Sequence, residues 1–95
     1  MSDLGIWVRS QDKKLLVIAE GFEQSDKFKD NDGHFVIAVH SSGSFKAATY
    51  MGAYATEERA LQVLQLIGYH IYETERMKLF PLDGFVNPVF EMPEE

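Results

Sequence analysis

Residues 56–77, TEERALQVLQLIGYHIYETERM, are the stretch that decides the fold. Apolar side chains recur in it at intervals of three and four residues, the spacing of one face of an α-helix. Thr56 can be the N-cap because its hydroxyl can accept a backbone N–H, and the two glutamates after it suit the positive end of the helix dipole. Pro81 lies beyond as a stop signal. The sequence therefore predicts one long helix that ends at about Met77 or Phe80.

This helix carries two apolar seams. The first is expected to face a sheet, and it consists of Ala60, Leu61, Leu64, Ile67, Gly68 and Ile71. The second consists of Val63, Leu66, His70 and Met77. One layer of sheet covers only the first seam, so the second requires the C-terminal tail or a second subunit. Symmetric dimers are the commonest soluble oligomers, and we expect a homodimer or higher homo-oligomer with Val63, Leu66 and Met77 at the contact.

The residues around the helix predict strands. Before the helix, strands are expected at Ile6–Ser10, Leu15–Ala19, His34–His40 and Phe45–Tyr54. The segment from Glu20 to Gly33 is polar apart from Phe22 and Phe28 and ends in a strong turn signal, so it is predicted to be a mobile connection or a wide hairpin loop. After the helix, the apolar run from Phe85 to Met92 predicts a short closing edge strand, where its proline is tolerated.

Length and composition indicate one α+β domain spanning residues 1–95. The expected architecture is an antiparallel β-sheet of about four to five strands packed by one long C-terminal helix. Cysteine is absent from the 95 residues, so thiol chemistry is excluded. No apolar run approaches ~18 residues, and the first residues lack the pattern of a signal peptide. We therefore expect a cytoplasmic protein that does not enter a membrane.

Charge narrows the possible partners. Nine basic residues face fifteen acidic ones, for a formal net charge of −6. Such a surface repels nucleic acid unless its basic residues cluster. The excess of acid suits solubility, and it also suits an inhibitor that occupies a basic groove of another protein.

No metal site or catalytic constellation emerges from the spacing of polar residues. The sequence DNDG at 30–33 resembles a calcium loop, but Phe28 and Val39 occupy positions where that loop needs acidic ligands. His34 and His40 are six residues apart, or about 20 Å along a strand, so they cannot share a metal. We therefore expect no metal, no cofactor and no enzymatic activity.

Aromatic and basic side chains gather near the end of the helix. Tyr69 and Tyr72 precede Arg76, and three phenylalanines follow. Aromatic faces beside guanidinium groups can stack on a base and hydrogen-bond a phosphate. The other interpretation is a small aromatic core that closes this end of the helix.

Three segments together resemble small proteins from phages and prophages of Gram-positive bacteria. They are IWVRSQDK at 6–13, GAYATEERA at 52–60 running into Val63-Leu64, and VFEMP at 89–93. One branch that the chain resembles is the first Thoeris anti-defence family. Its members are sponges that bind the cyclic ADP-ribose signal of a bacterial TIR-domain defence protein and hold it between subunits, using an aromatic residue and an arginine. Where a C-terminal arginine would be expected, this chain has Glu91.

The resemblance implies a phage-encoded, non-enzymatic immune-evasion protein of the host cell cytoplasm that sequesters a cyclic nucleotide signal. The candidate ligand-binding residues are Arg9, Lys46, Arg59 and Arg76 for phosphates and Tyr69, Tyr72 and Phe90 for base stacking. The alternative is an acidic protein-binding inhibitor of a host defence protein. A small enzyme that turns over a nucleotide is the third hypothesis.

Overall fold

A computed structural model describes residues 5–42, 45–79 and 88–95. These residues form six strands and one helix, in the order β1 (Ile6–Arg9), β2 (Leu16–Ala19), β3 (Gly21–Phe28), β4 (Asn31–Ser42), β5 (Phe45–Tyr54), α1 (Glu57–Leu79) and β6 (Val89–Glu91). The predicted α+β class, the single long helix and the closing strand are confirmed.

The strands divide between two sheets. The first sheet has the order β2-β1-β6 and the second the order β3-β4-β5. All pairings are antiparallel except that of β6, which lies parallel to β1 at the edge of the first sheet. Glu20 links β2 to β3, and its amide donates to the Val39 carbonyl at 2.8 Å. One nearly continuous run of chain therefore passes from the first sheet into the second.

The predicted loop between Glu20 and Gly33 is wrong, because this segment contains β3 and the start of β4. β3 is an edge strand, and it places Phe22 against the hydrophobic core. The other face and the open edge of such a strand meet water, so few apolar residues are needed. It pairs with the next strand, β4, across a two-residue turn, and the polar composition of the segment does not reveal this pairing. The turn itself falls at Lys29 and Asp30.

The start of α1 agrees with the prediction. The Thr56 hydroxyl accepts a hydrogen bond from the Arg59 amide at 3.0 Å, which is the geometry of an N-cap. The helix ends at Leu79, inside the predicted range. The stop signal at Pro81 and the first part of the predicted closing strand, residues 85–87, lie outside the described residues.

The buried face of α1 differs from the predicted one. Ala60 and Val63 are fully buried and Ile67 is 2% exposed, whereas Leu61 and Ile71 from the predicted sheet-facing seam are 44% and 37% exposed. The buried stripe therefore runs through Val63, which the sequence pattern assigned to the second seam.

The chain's own C-terminal segment covers that side of the helix. Met92, directly after β6, is 1% exposed and belongs to the same core cluster as Val63. The Phe90 ring meets the His70 ring edge-on, with centroids 5.4 Å apart. The proposed subunit contact through Val63 is therefore wrong, because Val63 is already buried within one chain.

The main core lies between α1, the two sheets and the C-terminal segment. Its buried members are Val8, Ala19, Val36, Ala38, Met51, Tyr54, Ala60, Val63, Ile67 and Met92. Every described strand and the helix supply a buried member except β3 and β6, which contribute the partly buried Phe22 and Phe90. Burial of this apolar surface is the main stabilising contribution to the fold.

A β-bulge in β5 lies where the segment after β1 is hydrogen-bonded to the second sheet. Val36 pairs with Gly52 but Ile37 pairs with Tyr50, so Met51 is the extra residue. The Met51 side chain is fully buried, and its carbonyl accepts a hydrogen bond from the Gln11 amide at 2.8 Å.

The side chain of Gln11 continues this attachment, and we call the set of contacts the Gln11 clasp. Its amide nitrogen donates to the Ala53 carbonyl at 2.9 Å and to the Glu94 carbonyl at 3.0 Å. Its amide oxygen accepts from the Ala53 amide at 3.0 Å. The clasp therefore satisfies backbone groups on the open edge of β5 and ties the C-terminal residues to both sheets.

The turn after β1 is held by its own polar side chains. The buried Ser10 hydroxyl donates to the Asp12 carboxylate at 2.6 Å and accepts from the Leu15 amide at 3.1 Å. The bond from Ser10 and one from the Lys14 amide lower the pKa of Asp12. Lys13 adopts a φ of 67°, a left-handed conformation that glycine occupies with less strain.

The phenol of Tyr54 gives the fold a pH dependence. Its hydroxyl donates to the Pro93 carbonyl at 2.8 Å, and burial raises the pKa of Tyr54 from 10.0 to about 12. An unfolded chain therefore loses this proton at lower pH than the folded chain, and the free energy of unfolding should fall between pH 10 and 12. Urea unfolding at a series of pH values tests this. Tyr54→Phe should lose stability less steeply over that range, and identical pH profiles for the two proteins would contradict the assignment.

Candidate functional site

A cleft lies where the outer side of α1 meets β6, and we call it the α1–β6 cleft. Its volume is about 440 Å³, and it is lined by Leu66, Tyr69, His70, Glu73, Phe90, Glu91 and Pro93. Small-molecule sites commonly have volumes of roughly 300–1,000 Å³. The helix supplies residues one turn apart, since positions i, i+3, i+4 and i+7 share a face. β6 supplies the facing wall.

Aromatic groups dominate the cleft. Tyr69 is 63% exposed and leaves most of its ring in contact with solvent. Phe90 is partly buried and holds the His70 ring edge-on at 5.4 Å. The His70 Nε2 atom is buried and has no hydrogen-bond partner among the described residues. Buried polar atoms normally have partners, so this nitrogen is exceptional among the described residues.

Each carboxylate of the cleft is paired with a cation. Glu73 accepts a hydrogen bond from Arg76 at 2.9 Å, and this bond lowers the pKa of Glu73. Glu91 accepts from the Arg9 Nε at 3.1 Å and lies 3.8 Å from the Lys13 ammonium. The guanidinium groups therefore stand beside the cleft and are neutralised by its own acids.

The structure brings together only part of the predicted site. Tyr69 and Phe90 line the cleft, and Arg76 and Arg9 reach its carboxylates. Tyr72 is 61% exposed and is not among the lining residues.

Two further predicted cations lie elsewhere. Arg59, in the first turn of α1, donates to the Glu95 carbonyl and to the Gln62 side chain at 3.0 and 3.2 Å. Lys46 is exposed on β5, in the second sheet. Neither residue is among those that line the α1–β6 cleft.

Sequence reasoning missed His70 and Glu73 as members of the site. One signal was available, because His70 interrupts the otherwise apolar seam of Val63, Leu66 and Met77. A polar ring on an apolar seam indicates either a buried partner or a binding position. Glu73 carried no comparable signal, since glutamate is common on helix surfaces.

A second hollow, of about 410 Å³, lies between α1 and the junction of β2 with β3. Apolar side chains such as Phe22, Leu64 and Ile71 form most of its wall. Its only charged lining residues among those described are Glu20 and Glu75. Both hollows therefore present two carboxylates, and the α1–β6 cleft differs in containing Tyr69 and Phe90 from the predicted site.

The described residues contain no group of three or more histidine, aspartate or glutamate side chains placed to hold a metal ion. In that same part of the chain, no helix combines the length and apolar character needed to cross a membrane.

The segments that carry the family resemblance meet in space. Gln11, from the first segment, binds the backbone of Ala53 in the second and of Glu94 directly after the third. These segments of the chain therefore contact one another through the Gln11 clasp. No family model, curated protein or solved structure shows significant similarity to the chain. Membership of the anti-defence family remains a prediction from the three segments.

Proposed function

We propose that this chain is a phage-encoded, non-catalytic binding protein that sequesters a cyclic nucleotide signal of the cyclic ADP-ribose type in the host cytoplasm. The base would occupy the α1–β6 cleft. The observation that carries the proposal is the buried His70 Nε2, which has no partner among the described residues and sits in a cleft also lined by Tyr69 and Phe90.

The cleft offers each interaction that a purine requires. Tyr69 and Phe90 provide ring surface for stacking, which contributes roughly 1–3 kcal/mol per base. Rotation of the His70 ring would bring its buried nitrogen to the base edge, and the carboxylates of Glu73 and Glu91 can accept from an exocyclic amine. A phosphate would have to attract a guanidinium away from its carboxylate, so Glu91 opposes binding of the anionic part of the ligand.

Cyclic ADP-ribose isomers are the first ligands to test. At about ten times Kd, a ligand that binds only the folded state should raise the free energy of unfolding by about 1.4 kcal/mol. Tyr69→Ala should abolish that gain, yet change unliganded stability little because the side chain is 63% exposed. Tyr72→Ala is the matched control, since Tyr72 is 61% exposed on the same helix and outside the cleft lining.

The charge of the cleft provides a second readout. Glu91→Gln should tighten binding of the anionic ligand because it frees Arg9, although Lys13 keeps its pairing with Glu94, whereas Arg9→Gln should weaken binding. Ligand recovered by heating the complex should be chemically intact, which separates sequestration from turnover. If no isomer and no cyclic dinucleotide stabilises the wild-type protein, the proposal fails.

The placement of acidic residues near the start of α1 favours a protein-binding inhibitor as the second candidate function. Glu57 and Glu58 open α1, and Glu94 and Glu95 end the chain. The Arg59 Nε donates to the Glu95 carbonyl at 3.0 Å, which holds the chain end beside the first helical turn. The exposed acids of both segments therefore form one negative surface. An inhibitor acting through it would bind a basic partner, and its affinity would fall as ionic strength rises.

We also propose that the chain forms a homodimer through the outer face of the first sheet. Trp7 pairs directly with Ile18 across β1 and β2, and Leu16 pairs with Arg9 on the same face. Trp7, Leu16 and Ile18 are 44%, 45% and 48% exposed. The Arg9–Glu91 ion pair gives this face one positive and one negative charge. A second copy rotated by 180° can place each charge beside its opposite, which opposes the repulsion between two chains of net charge −6.

Light scattering should then report a dimer at micromolar concentration, and Ile18→Lys should yield a monomer. Trp7 is the only tryptophan of the chain, so its emission should shift to longer wavelength as the wild-type dimer dissociates on dilution. Phe45→Lys is the control, because Phe45 is 75% exposed on the second sheet. A wild-type monomer would contradict this interface, as would a dimer that Ile18→Lys leaves intact.

A further inference from the structure

An aromatic cluster lies on the second sheet, apart from the α1–β6 cleft. Phe28, Phe35 and Tyr50 form a triangle with ring centroids 6.2, 5.8 and 5.9 Å apart. Such tilted contacts are favourable between aromatic quadrupoles. The cluster draws its members from β3, β4 and β5 and so spans the whole sheet.

These rings lie on the face of the sheet that points away from α1. Successive side chains of a strand alternate between faces, and Val36 and Ala38 of β4 belong to the core under the helix. Phe35 therefore faces the other way, and Tyr50 lies beside it on β5, opposite Ile37. Phe35 is 8% exposed although it is outside the core cluster. Its neighbours on the outer face therefore bury it.

Lys29 supplies a positive charge beside the aromatic cluster. It is the first residue of the two-residue turn between β3 and β4, and its φ of 55° lies in the left-handed region. Its ammonium stands 5.5 Å from the centroid of the Phe28 ring. Among the described residues no carboxylate forms an ion pair with it, whereas Arg9, Lys13, Lys27 and Arg76 each have one.

The rings and the ammonium surround a hollow of about 500 Å³. It is lined by Phe28, Lys29, Asn31, Phe35 and Tyr50. The hollow therefore has aromatic walls, one cation, and one side-chain amide that can donate a hydrogen bond. No carboxylate is among the lining residues that the structure describes. This distinguishes it from the α1–β6 cleft, where each cation is neutralised.

We propose that this hollow binds a planar aromatic anion of the aryl phosphate class. The aromatic ring of the ligand packs against Phe28 and Tyr50, and its phosphate accepts hydrogen bonds from the Lys29 ammonium and the Asn31 amide. Ring contact and charge are both required, because either interaction alone is weak at an exposed site. This site is independent of the proposed function and uses none of the residues of the α1–β6 cleft.

The test is a titration with 2-naphthyl phosphate followed by amide NMR. Chemical shifts should change around residues 28–31, 35 and 50. Lys29→Gly should raise Kd about fivefold, and the variant should fold because glycine relieves the positive φ. Tyr50→Leu should raise Kd about tenfold through lost ring contact. Tyr50→Phe should restore most of that affinity.

Lys13→Gly is the matched control. It removes one lysine, relieves a similar φ of 67° and changes the net charge equally, yet it should leave Kd unchanged. Tyr69→Ala should also leave it unchanged, which separates this site from the α1–β6 cleft. Equal affinity for 2-naphthol would exclude the role of the phosphate. Equal shifts with inorganic phosphate would exclude the role of the rings. Shifts centred on Tyr69 and Phe90 would overturn the assignment.

Discussion

Replacement of Met92 by alanine is expected to lower the free energy of unfolding by about 3 kcal/mol, within the range for removal of a buried methionine side chain. Met92 is 1% exposed and shares the core cluster with Val63 and Ile67 of α1. The loss should be measurable by denaturant unfolding with the emission of Trp7 as the signal. A loss of this size would establish that the C-terminal segment is a structural part of the domain.

Leu66→Ala provides the comparison, because Leu66 lies on the same side of the helix but is 43% exposed. Its cost should stay below about 1 kcal/mol, since most of the removed surface is already in contact with water. If Leu66→Ala cost as much as Met92→Ala, another subunit would have to bury Leu66. If Met92→Ala cost less than about 1 kcal/mol, the packing of the tail against α1 would be refuted.

Replacement of Gln11 by alanine is expected to cost about 2 kcal/mol. The side chain makes three hydrogen bonds to the backbone of Ala53 and Glu94, each of which contributes roughly 0.5–1.5 kcal/mol when its groups are partly buried. The variant leaves both groups of Ala53 without their partner. Unfolding by urea measures the loss, and faster amide hydrogen exchange at Ala53 should accompany it.

Gln11→Glu distinguishes the loss of the clasp's hydrogen bonds from the loss of side-chain volume. A glutamate can accept from the Ala53 amide, but when ionised it cannot donate to either carbonyl. It should therefore be at least as destabilising as alanine at neutral pH, although it fills the same space. Gln62→Ala is the control, since Gln62 is exposed and its side chain accepts one hydrogen bond, from Arg59. A neutral Gln11→Ala would show that the β5 edge does not depend on the clasp.

Part of the candidate site could be predicted because it depends on local spacing. Tyr69 and Arg76 share a helix, and their separation of seven residues places them on one face. Phe90 was identifiable as an aromatic residue close to that helix in sequence. The carboxylate partners were not identifiable, because the pairing of Arg9 with Glu91 joins residues 82 positions apart. Sequence spacing does not encode such a contact.

The prediction that a second subunit covers Val63 was wrong for a related reason. A helical seam shows only that some apolar surface must be covered, and both covers considered were compatible with the pattern. β6 lies parallel to β1 and brings Met92 against the Val63 side of the helix. Packing of the chain's own tail against the helix does not cost the translational entropy that binding of a second subunit would cost.

The sequence by itself determined the elements whose signals are local: the helix with its Thr56 cap, the β1–β2 hairpin and the strand Phe45–Tyr54. In each, periodicity, capping or turn residues act within a few positions of one another. Only the tertiary structure decided that β3 is a strand, that the sheet divides in two, and that Gln11 joins β5 to the tail. It also decided which cations are neutralised. The strand β3 depends on pairing with the next strand, and the other outcomes depend mainly on contacts between residues distant in the chain. In both cases burial and pairing outweigh local preference.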